Sequence, residues 1–145
     1  LPISDESIEV LEEDAPFAIG ILGDDPFGKA LDDIVRGKRW KGRPVRILRA
    51  QTLDRLKDCL VVYIAESESE RVEQLLEALG ERPVLTVSEI PDFAKKGGII
   101  ELFVKESKVR FRINIEVARA CRLRIHSNLL KLAELVGPRP KDDQK

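Results

Sequence analysis

Few side chains in this chain are suited to bond-making chemistry. There is a single histidine, His126, so a Ser-His-Asp or Cys-His arrangement would have to use it as the base. It stands at a predicted corner between a strand and a helix, which favours a structural or surface role. A zinc site would need Cys59, Cys121 and His126 with a further ligand, and the chain has no closely spaced Cys-x-x-Cys pair. We therefore predict no catalytic residue and no metal site.

An acidic pair, Asp24 and Asp25, directly follows an apolar run at residues 17–22. Phospho-receiver domains place a similar pair beside a phosphorylated Asp at the end of the third strand. Here the third predicted strand ends in Ala-Glu-Ser at residues 65–67, so phosphotransfer through an aspartate is not supported. Asp25 is instead predicted to cap a helix that begins at Pro26, which would stabilise the helix by about 1 kcal/mol.

Glycine spacing and net charge exclude further classes of function. The glycines at positions 20, 23 and 28 do not have the dinucleotide-binding spacing, and no Gly-Lys-Ser/Thr sequence indicates a phosphate loop, so no cofactor is predicted. The formal net charge is −1 although 35% of the residues are charged, which favours neither a nucleic-acid nor a membrane partner. No stretch approaches the length of apolar sequence that would embed the chain in a bilayer.

Strands and helices alternate along the chain, as expected for βα units. The patterns predict strands at 17–22, 44–48, 59–65, 83–87, 99–104 and 109–113, and helices at 26–36, 53–57, 67–79, 114–121 and 127–136. We predict an α/β fold: a three-layer sandwich with a mostly parallel sheet, helices on both faces and a C-terminal antiparallel hairpin at the edge.

Polar residues are predicted to cap the other four helices as well. Thr52, Asn114 and Ser127 each precede an apolar-periodic segment, and Ser67 with Glu70 has the spacing of a capping box.

The division of the chain follows from composition. Residues 15–137 are predicted to form one domain. Residues 1–14 form an acidic leader, and 138–145 form a charged tail that we expect to be disordered.

The two cysteines leave two interpretations open. Cys59 begins a buried strand and is compatible with a small apolar core side chain. If the domain is exported, a bridge between Cys59 and Cys121 would close a long loop and stabilise the fold by about 4 kcal/mol in the chain-entropy model.

An ordered set of short motifs resembles the YfiR/HmsC-like family of periplasmic regulatory proteins. The resemblance covers about residues 15–136. It rests on Gly-Asp-Asp-Pro-Phe-Gly at 23–28, Gly-Arg-Pro-Val at 42–45, the Cys-led strand at 59–65, Leu-Thr-Val-Ser at 85–88, Phe-Ala at 93–94, Gly-Gly at 97–98, Ile-Asn at 113–114 and the Ser-x-Leu-Leu-x-Leu-Ala pattern at 127–133.

The resemblance implies a non-enzymatic protein located in the periplasm. Relatives of this kind repress a membrane-bound diguanylate cyclase by binding its periplasmic sensor portion, so that their release from the cyclase raises the level of cyclic-di-GMP inside the cell. For the partner-binding face we select Asp24, Asp25, Pro26 and Phe27, because open α/β sheets bind ligands beyond the carboxyl ends of their strands. The alternative is that Phe27 belongs to the core and the turn only folds the chain.

A second hypothesis is a small-molecule-binding sensor domain, either separate or detached from a larger signalling protein. The turn at 24–28 and the segment at 88–98, including Ser88 and Phe93, would then line a pocket in which Arg43 or Arg46 meets an anion.

One departure from the family concerns the N-terminus. The family usually begins with an aromatic-rich helix that ends near Trp-Pro, and nothing before Phe17 matches it. Either the chain was cut after that helix or this member is divergent. An apolar face left bare by its loss would favour pairing of two chains into a homodimer.

Overall fold

The structure, a computed structural model, describes residues 8–10, 18–40 and 42–136. The elements in chain order are β1 (Ile8–Val10), β2 (Ala18–Leu22), α1 (Lys29–Val35), β3 (Arg39–Trp40), β4 (Arg43–Pro44), β5 (Arg46–Ala50), β6 (Val61–Ile64), α2 (Val72–Leu79), β7 (Leu85–Ser88), β8 (Ile100–Lys105), β9 (Lys108–Asn114), α3 (Ile115–Ala120), β10 (Leu123–Ile125), α4 (Ser127–Leu130) and β11 (Glu134–Val136). Short 3-10 helices cover Leu53–Leu56 and Glu66–Arg71.

Seven strands form one sheet in the order β11-β9-β8-β7-β6-β2-β5. Every neighbouring pair is parallel except β8 and β9, which form the predicted antiparallel hairpin. The predicted α/β fold class is therefore confirmed. Strand β11 adds to the outer side of β9, so the hairpin lies one strand inside the edge of the sheet.

The centre of the sheet is apolar on both faces. All residues of β2 and β6 are buried, as their continuous apolar runs predict for strands covered on both sides. Along β2, Ile19 and Ile21 pack into one core cluster, and Ala18 and Leu22 pack into the other. The sheet thus separates two cores, and each needs its own covering layer.

Different elements cover the two faces. Helix α2 and Leu53–Leu56 cover one face, where Phe93 is fully buried. On the other face, α3 and β10 bury Ala118 and Leu123, among others, against the sheet.

The first helix differs from its prediction. It was expected to begin at Pro26 under an Asp25 cap, but α1 begins at Lys29. Gly28 is the reason: its φ of 60° and ψ of −147° are incompatible with helix, so residues 24–28 form a separate turn. No residue of α1 is fully buried.

The predicted capping box at Ser67 is also wrong. Ser67 lies within the 3-10 helix Glu66–Arg71, and its hydroxyl accepts a hydrogen bond from the backbone N–H of Asp24 at 3.0 Å. Helix α2 begins at Val72 without a side-chain cap.

The three other predicted caps differ in outcome. Ser127 does not precede a helix but is itself the first residue of α4. Thr52 precedes Leu53–Leu56 but makes no capping hydrogen bond. The Asn114 cap is confirmed, because its Oδ1 accepts from Val117 N–H at 3.2 Å.

The predicted helix at residues 127–136 is wrong over its second half. Helix α4 ends at Leu130, and Glu134–Val136 forms β11. The open edge of β9 offers unpaired backbone groups, and Glu134 also accepts a hydrogen bond from Arg112 Nε at 3.2 Å. Pairing with β9 therefore overrides the helical periodicity of this segment.

Strands β1, β3, β10 and β11 were not predicted. Strand β1, inside the predicted acidic leader, pairs antiparallel with β10, with Ile8 opposite Ile125. The predicted disorder of 138–145 concerns residues outside the described ranges. Among the residues that the structure describes, no helix has both the length and the hydropathy to cross a membrane.

Candidate functional site

The turn at residues 23–28 follows β2 at the carboxyl end of the parallel strands. Gly23 begins it with a φ of 97°, and a Cβ there would lie 2.7 Å from the Ser67 hydroxyl oxygen. The Gly23 N–H donates to the Ala50 carbonyl at 3.1 Å. Only glycine combines this backbone conformation with the close approach of the neighbouring segment. The turn is thereby held against β5 on one side and against Glu66–Arg71 on the other.

Asp25 organises the turn. Its Oδ1 accepts from Phe27 N–H at 2.7 Å, and its Oδ2 accepts from Gly28 N–H at 3.2 Å. Partial burial acts to raise the pKa of this carboxyl, but the hydrogen bonds from Phe27 N–H and Arg49, together with the Arg49 charge, hold the pKa below its usual value. The carboxylate is therefore ionised and committed to holding the turn.

Arg49, on the outermost strand β5, clamps the turn to the sheet. Its Nε donates to Asp25 Oδ2 at 2.6 Å, and its Nη2 donates to the Gly28 carbonyl and to Asp32 Oδ2, both at 3.0 Å. These contacts join β5, the turn and α1. Arg49 was not predicted as a site residue, although it ends a run at residues 36–49 that contains seven basic and no acidic residues. Finding it required knowing that β5 lies beside β2.

Of the four residues selected for partner binding, Asp24 and Pro26 are exposed and Asp25 and Phe27 are half-buried. The Phe27 ring packs edge-on against Tyr63, with 4.9 Å between centroids. The structure thus brings these four residues together in one turn, with Phe27 facing inward and Asp24 and Pro26 facing solvent.

An apolar groove of about 420 Å³ adjoins the turn. One wall is α1 with Phe27, the floor is the centre of the sheet, and the other wall is the β8–β9 hairpin. The groove is lined by Ile19, Ile21, Phe27, Ala30, Leu31, Ile34, Val61, Tyr63, Val87, Leu102, Val109 and Phe111.

Ser88 and Phe93 do not belong to an accessible pocket, which corrects their selection. The Ser88 hydroxyl donates to the Ile64 carbonyl at 2.6 Å and accepts from Ile90 N–H at 3.0 Å, so its hydrogen-bonding capacity is used inside the fold. Phe93 has no solvent exposure and packs in the core on the α2 face.

Arg43 and Arg46 do not take part in the Asp25 turn. Arg43 lies on β4 opposite Trp40, and Arg46 begins β5. The guanidinium that contacts Asp25 is that of Arg49. The predicted anion pocket formed by the turn, Ser88 and these arginines is therefore not assembled.

The two cysteines are free and buried. Cys59 packs in the core on the α2 face, whereas Cys121 packs in the core on the opposite face. They belong to different core clusters and are not joined, so the alternative of a Cys59–Cys121 bridge does not correspond to this structure. His126 is exposed, and the described residues contain no metal-binding group of histidine, cysteine and carboxylate side chains.

These elements define an α/β domain with a mostly parallel sheet, whose carboxyl edge presents a rigid turn beside an apolar groove. The chain belongs to the YfiR/HmsC-like family, whose model matches residues 8–134 and so confirms the resemblance predicted from the motifs. The family comprises periplasmic regulators in cyclic-di-GMP signalling that are not catalytic. No curated protein matches the sequence.

Proposed function

We propose that this protein represses a membrane-bound diguanylate cyclase, or a related membrane sensor, by binding the sensor portion on the periplasmic side. The single observation that carries the proposal is the family match over residues 8–134. In this mechanism the protein performs no chemistry, and loss of the contact activates the cyclase and raises cyclic-di-GMP.

The geometry at the carboxyl edge supports a protein contact. The turn is fixed from behind by Arg49 and by the hydrogen bond from Asp24 N–H to Ser67, while the Asp24 and Pro26 side chains remain exposed. A surface that is already ordered loses little conformational entropy on binding, which favours recognition of a protein partner.

The proposal is tested by co-purification from cells that export the chain together with the cyclases of its own host. Recovery of a diguanylate cyclase, identified by mass spectrometry, and a lower cellular cyclic-di-GMP level are the expected results. Asp24→Lys should weaken recovery because it reverses an exposed charge and keeps the backbone bond to Ser67. The matched control is Glu73→Lys, an equally exposed position on α2 over the opposite face.

Two results would contradict the proposal. One is the absence of any cyclase or related sensor from the purified material. The other is an unchanged cyclic-di-GMP level when the exported chain is expressed.

A further inference from the structure

The groove beside the turn exists because of the way the sheet is connected. On its face of the sheet, α1 covers the side near β2 and α3 covers the side near β9. The connection from β6 to β7 runs through α2, which packs on the other face. No helix among the described elements therefore crosses the sheet between α1 and the β8–β9 hairpin, where the groove lies.

Apolar surface extends beyond the groove itself. Ile34 on α1 is 62% exposed, and Val109 on the hairpin is 72% exposed, so both walls present aliphatic side chains to solvent. Val104, opposite Val109 in the hairpin, is 71% exposed. Covering these exposed positions together with the floor requires an occupant that spans α1 and the hairpin, because the positions lie on separate elements on either side.

At the end of the groove that adjoins the turn, the carboxyl edge of the sheet carries acidic side chains, which lie beyond the residues that line the groove itself. Strands β2, β6 and β7 are parallel neighbours, so the residues that follow them, Asp25, Glu66 and Glu89, reach the same edge. Asp25 is neutralised by Arg49, but Glu66 and Glu89 are exposed and form no ion pair with another described residue.

Tyr63 links this acidic end to the apolar floor. It lines the groove and packs edge-on against Phe27. Burial raises its pKa, and the carboxylates of Glu89, Glu66 and Asp25 raise it further. The groove therefore combines an aliphatic floor with a hydrogen-bond donor and uncompensated negative charge at one end.

We propose that this groove binds an amphipathic helix of a partner protein, whose apolar face fills the groove and whose Lys or Arg meets Glu66 and Glu89. Apolar residues at i, i+3, i+4 and i+7 would contact α1 and the hairpin together, which is the helix-in-groove mode of recognition. Charge complementarity sets the direction of the helix, since its basic end must lie at the carboxyl edge of the sheet. The inference rests on the proposed function, because it names the kind of segment in the partner that is recognised.

The test uses the whole chain and two labelled synthetic peptides of about 16 residues, each with a leucine stripe at helical spacing. One peptide carries Lys at one end of the stripe, and the other carries Glu at the same positions. Fluorescence anisotropy should show tighter binding of the Lys peptide. In the double variant Glu66→Gln and Glu89→Gln, this preference should fall by about threefold to tenfold.

Ile34→Ser tests the apolar contact and should weaken binding of the Lys peptide by about fivefold or more. The position is 62% exposed, so the substitution leaves the core intact. Leu132→Ser is the matched control, because Leu132 is 74% exposed and does not line the groove.

Three outcomes would overturn the inference. Equal affinity for the two peptides would show that Glu66 and Glu89 do not select a basic segment. Peptide binding that is unaffected by Ile34→Ser would show that the peptide does not lie in the groove. A dimer in light scattering that is lost in Ile34→Ser, without peptide binding, would identify a second copy of the chain as the occupant.

The proposed function and this inference fail separately. If the cyclase still co-purifies with the Ile34→Ser variant, the proposed function stands and the groove is not the contact. If no cyclase is recovered but the Lys peptide binds as described, the groove recognises a helix of a different partner.

Discussion

Arg49 on the outermost strand of the sheet donates a hydrogen bond from Nε to Asp25 Oδ2 at 2.6 Å, across 24 residues of sequence. This ion pair is half-shielded, because the Asp25 side chain is 14% exposed and that of Arg49 is 36% exposed. It fixes the turn that follows β2 to the strand beside β2. The position of the turn, and of Phe27 at the wall of the groove, therefore depends on this charged contact together with the packing of Phe27 against Tyr63.

Replacement of Asp25 by Ala should lower the free energy of unfolding by about 2 kcal/mol. The change removes acceptors for two backbone N–H groups and leaves Arg49 with only Asp32 and the Gly28 carbonyl. Urea denaturation measures the loss. Asp24→Ala is the control and should change stability by less than about 0.5 kcal/mol, since the Asp24 side chain is exposed. Equal effects of the two substitutions would contradict the role assigned to Asp25.

The contribution of Asp25 should depend on pH with a defined sign. Its pKa is lower in the folded protein than the ordinary value of 3.8 expected when unfolded, so the unfolded chain binds the proton more readily. The stabilisation is fully present above the unfolded pKa and is lost as pH falls through the folded pKa. The stability difference between the natural chain and Asp25→Asn should thus be constant between about pH 5 and 7 and shrink at lower pH. A difference that grows on acidification would exclude this linkage.

The centre of the fold could be predicted from the sequence because its signal is local. The apolar runs that became β2 and β6 are too short for a buried helix and are flanked by breaking residues. The hairpin could be predicted equally well, since Glu106 and Ser107 form a polar two-residue turn between its strands, and both residues have a positive φ. In each case neighbouring residues specify the element without help from distant parts of the chain.

Features that depend on distant pairing were missed. Glu134–Val136 is a strand only because β9 has an open edge, and Ile8–Val10 is a strand only because β10 lies opposite. The contacts of Arg49 with the turn likewise could not be predicted without knowing the order of the strands in the sheet. Ser88 was selected as part of the segment at 88–98 that was expected to line a pocket, but its hydroxyl donates to the Ile64 carbonyl and accepts from Ile90 N–H within the fold. Sequence patterns show residue types near a site, whereas the hydrogen-bond partners decide whether a side chain is available.

Neither cysteine should react in the folded protein, and both should be free thiols after unfolding. Burial, and to a lesser degree the charge of Asp58, raise the pKa of Cys59 to about 11, and burial also raises the pKa of Cys121. At about pH 8 the thiolate fraction is therefore small in the native state. Alkylation without reductant, followed by mass measurement, should show no label in native protein and two labels in urea. Protein that stays unlabelled in urea until it is reduced would contain the bridge that the structure lacks.

Adding a single methyl group at Gly98 should destabilise the folded protein through a steric clash, in addition to any effect of replacing glycine on the backbone. A Cβ at this position would overlap carbons of the Phe93 ring, which is fully buried and cannot move aside. Gly98→Ala is therefore expected to lower the free energy of unfolding by about 1–3 kcal/mol through overpacking. Gly37→Ala is the comparison, because its Cβ would meet no atom within 4 Å and its φ of 76° adds only backbone strain.

A double-mutant cycle with Phe93→Leu separates the clash from other effects of the methyl group. The smaller side chain removes the ring, so Gly98→Ala should cost less in the Phe93→Leu background than in the natural chain, with a coupling energy of at least about 0.5 kcal/mol. Gly37→Ala should be additive with Phe93→Leu, because the two sites share no contact. Additivity at Gly98 as well would show that the ring and the glycine do not constrain each other, and that the turn preceding β8 is not packed against Phe93 as described.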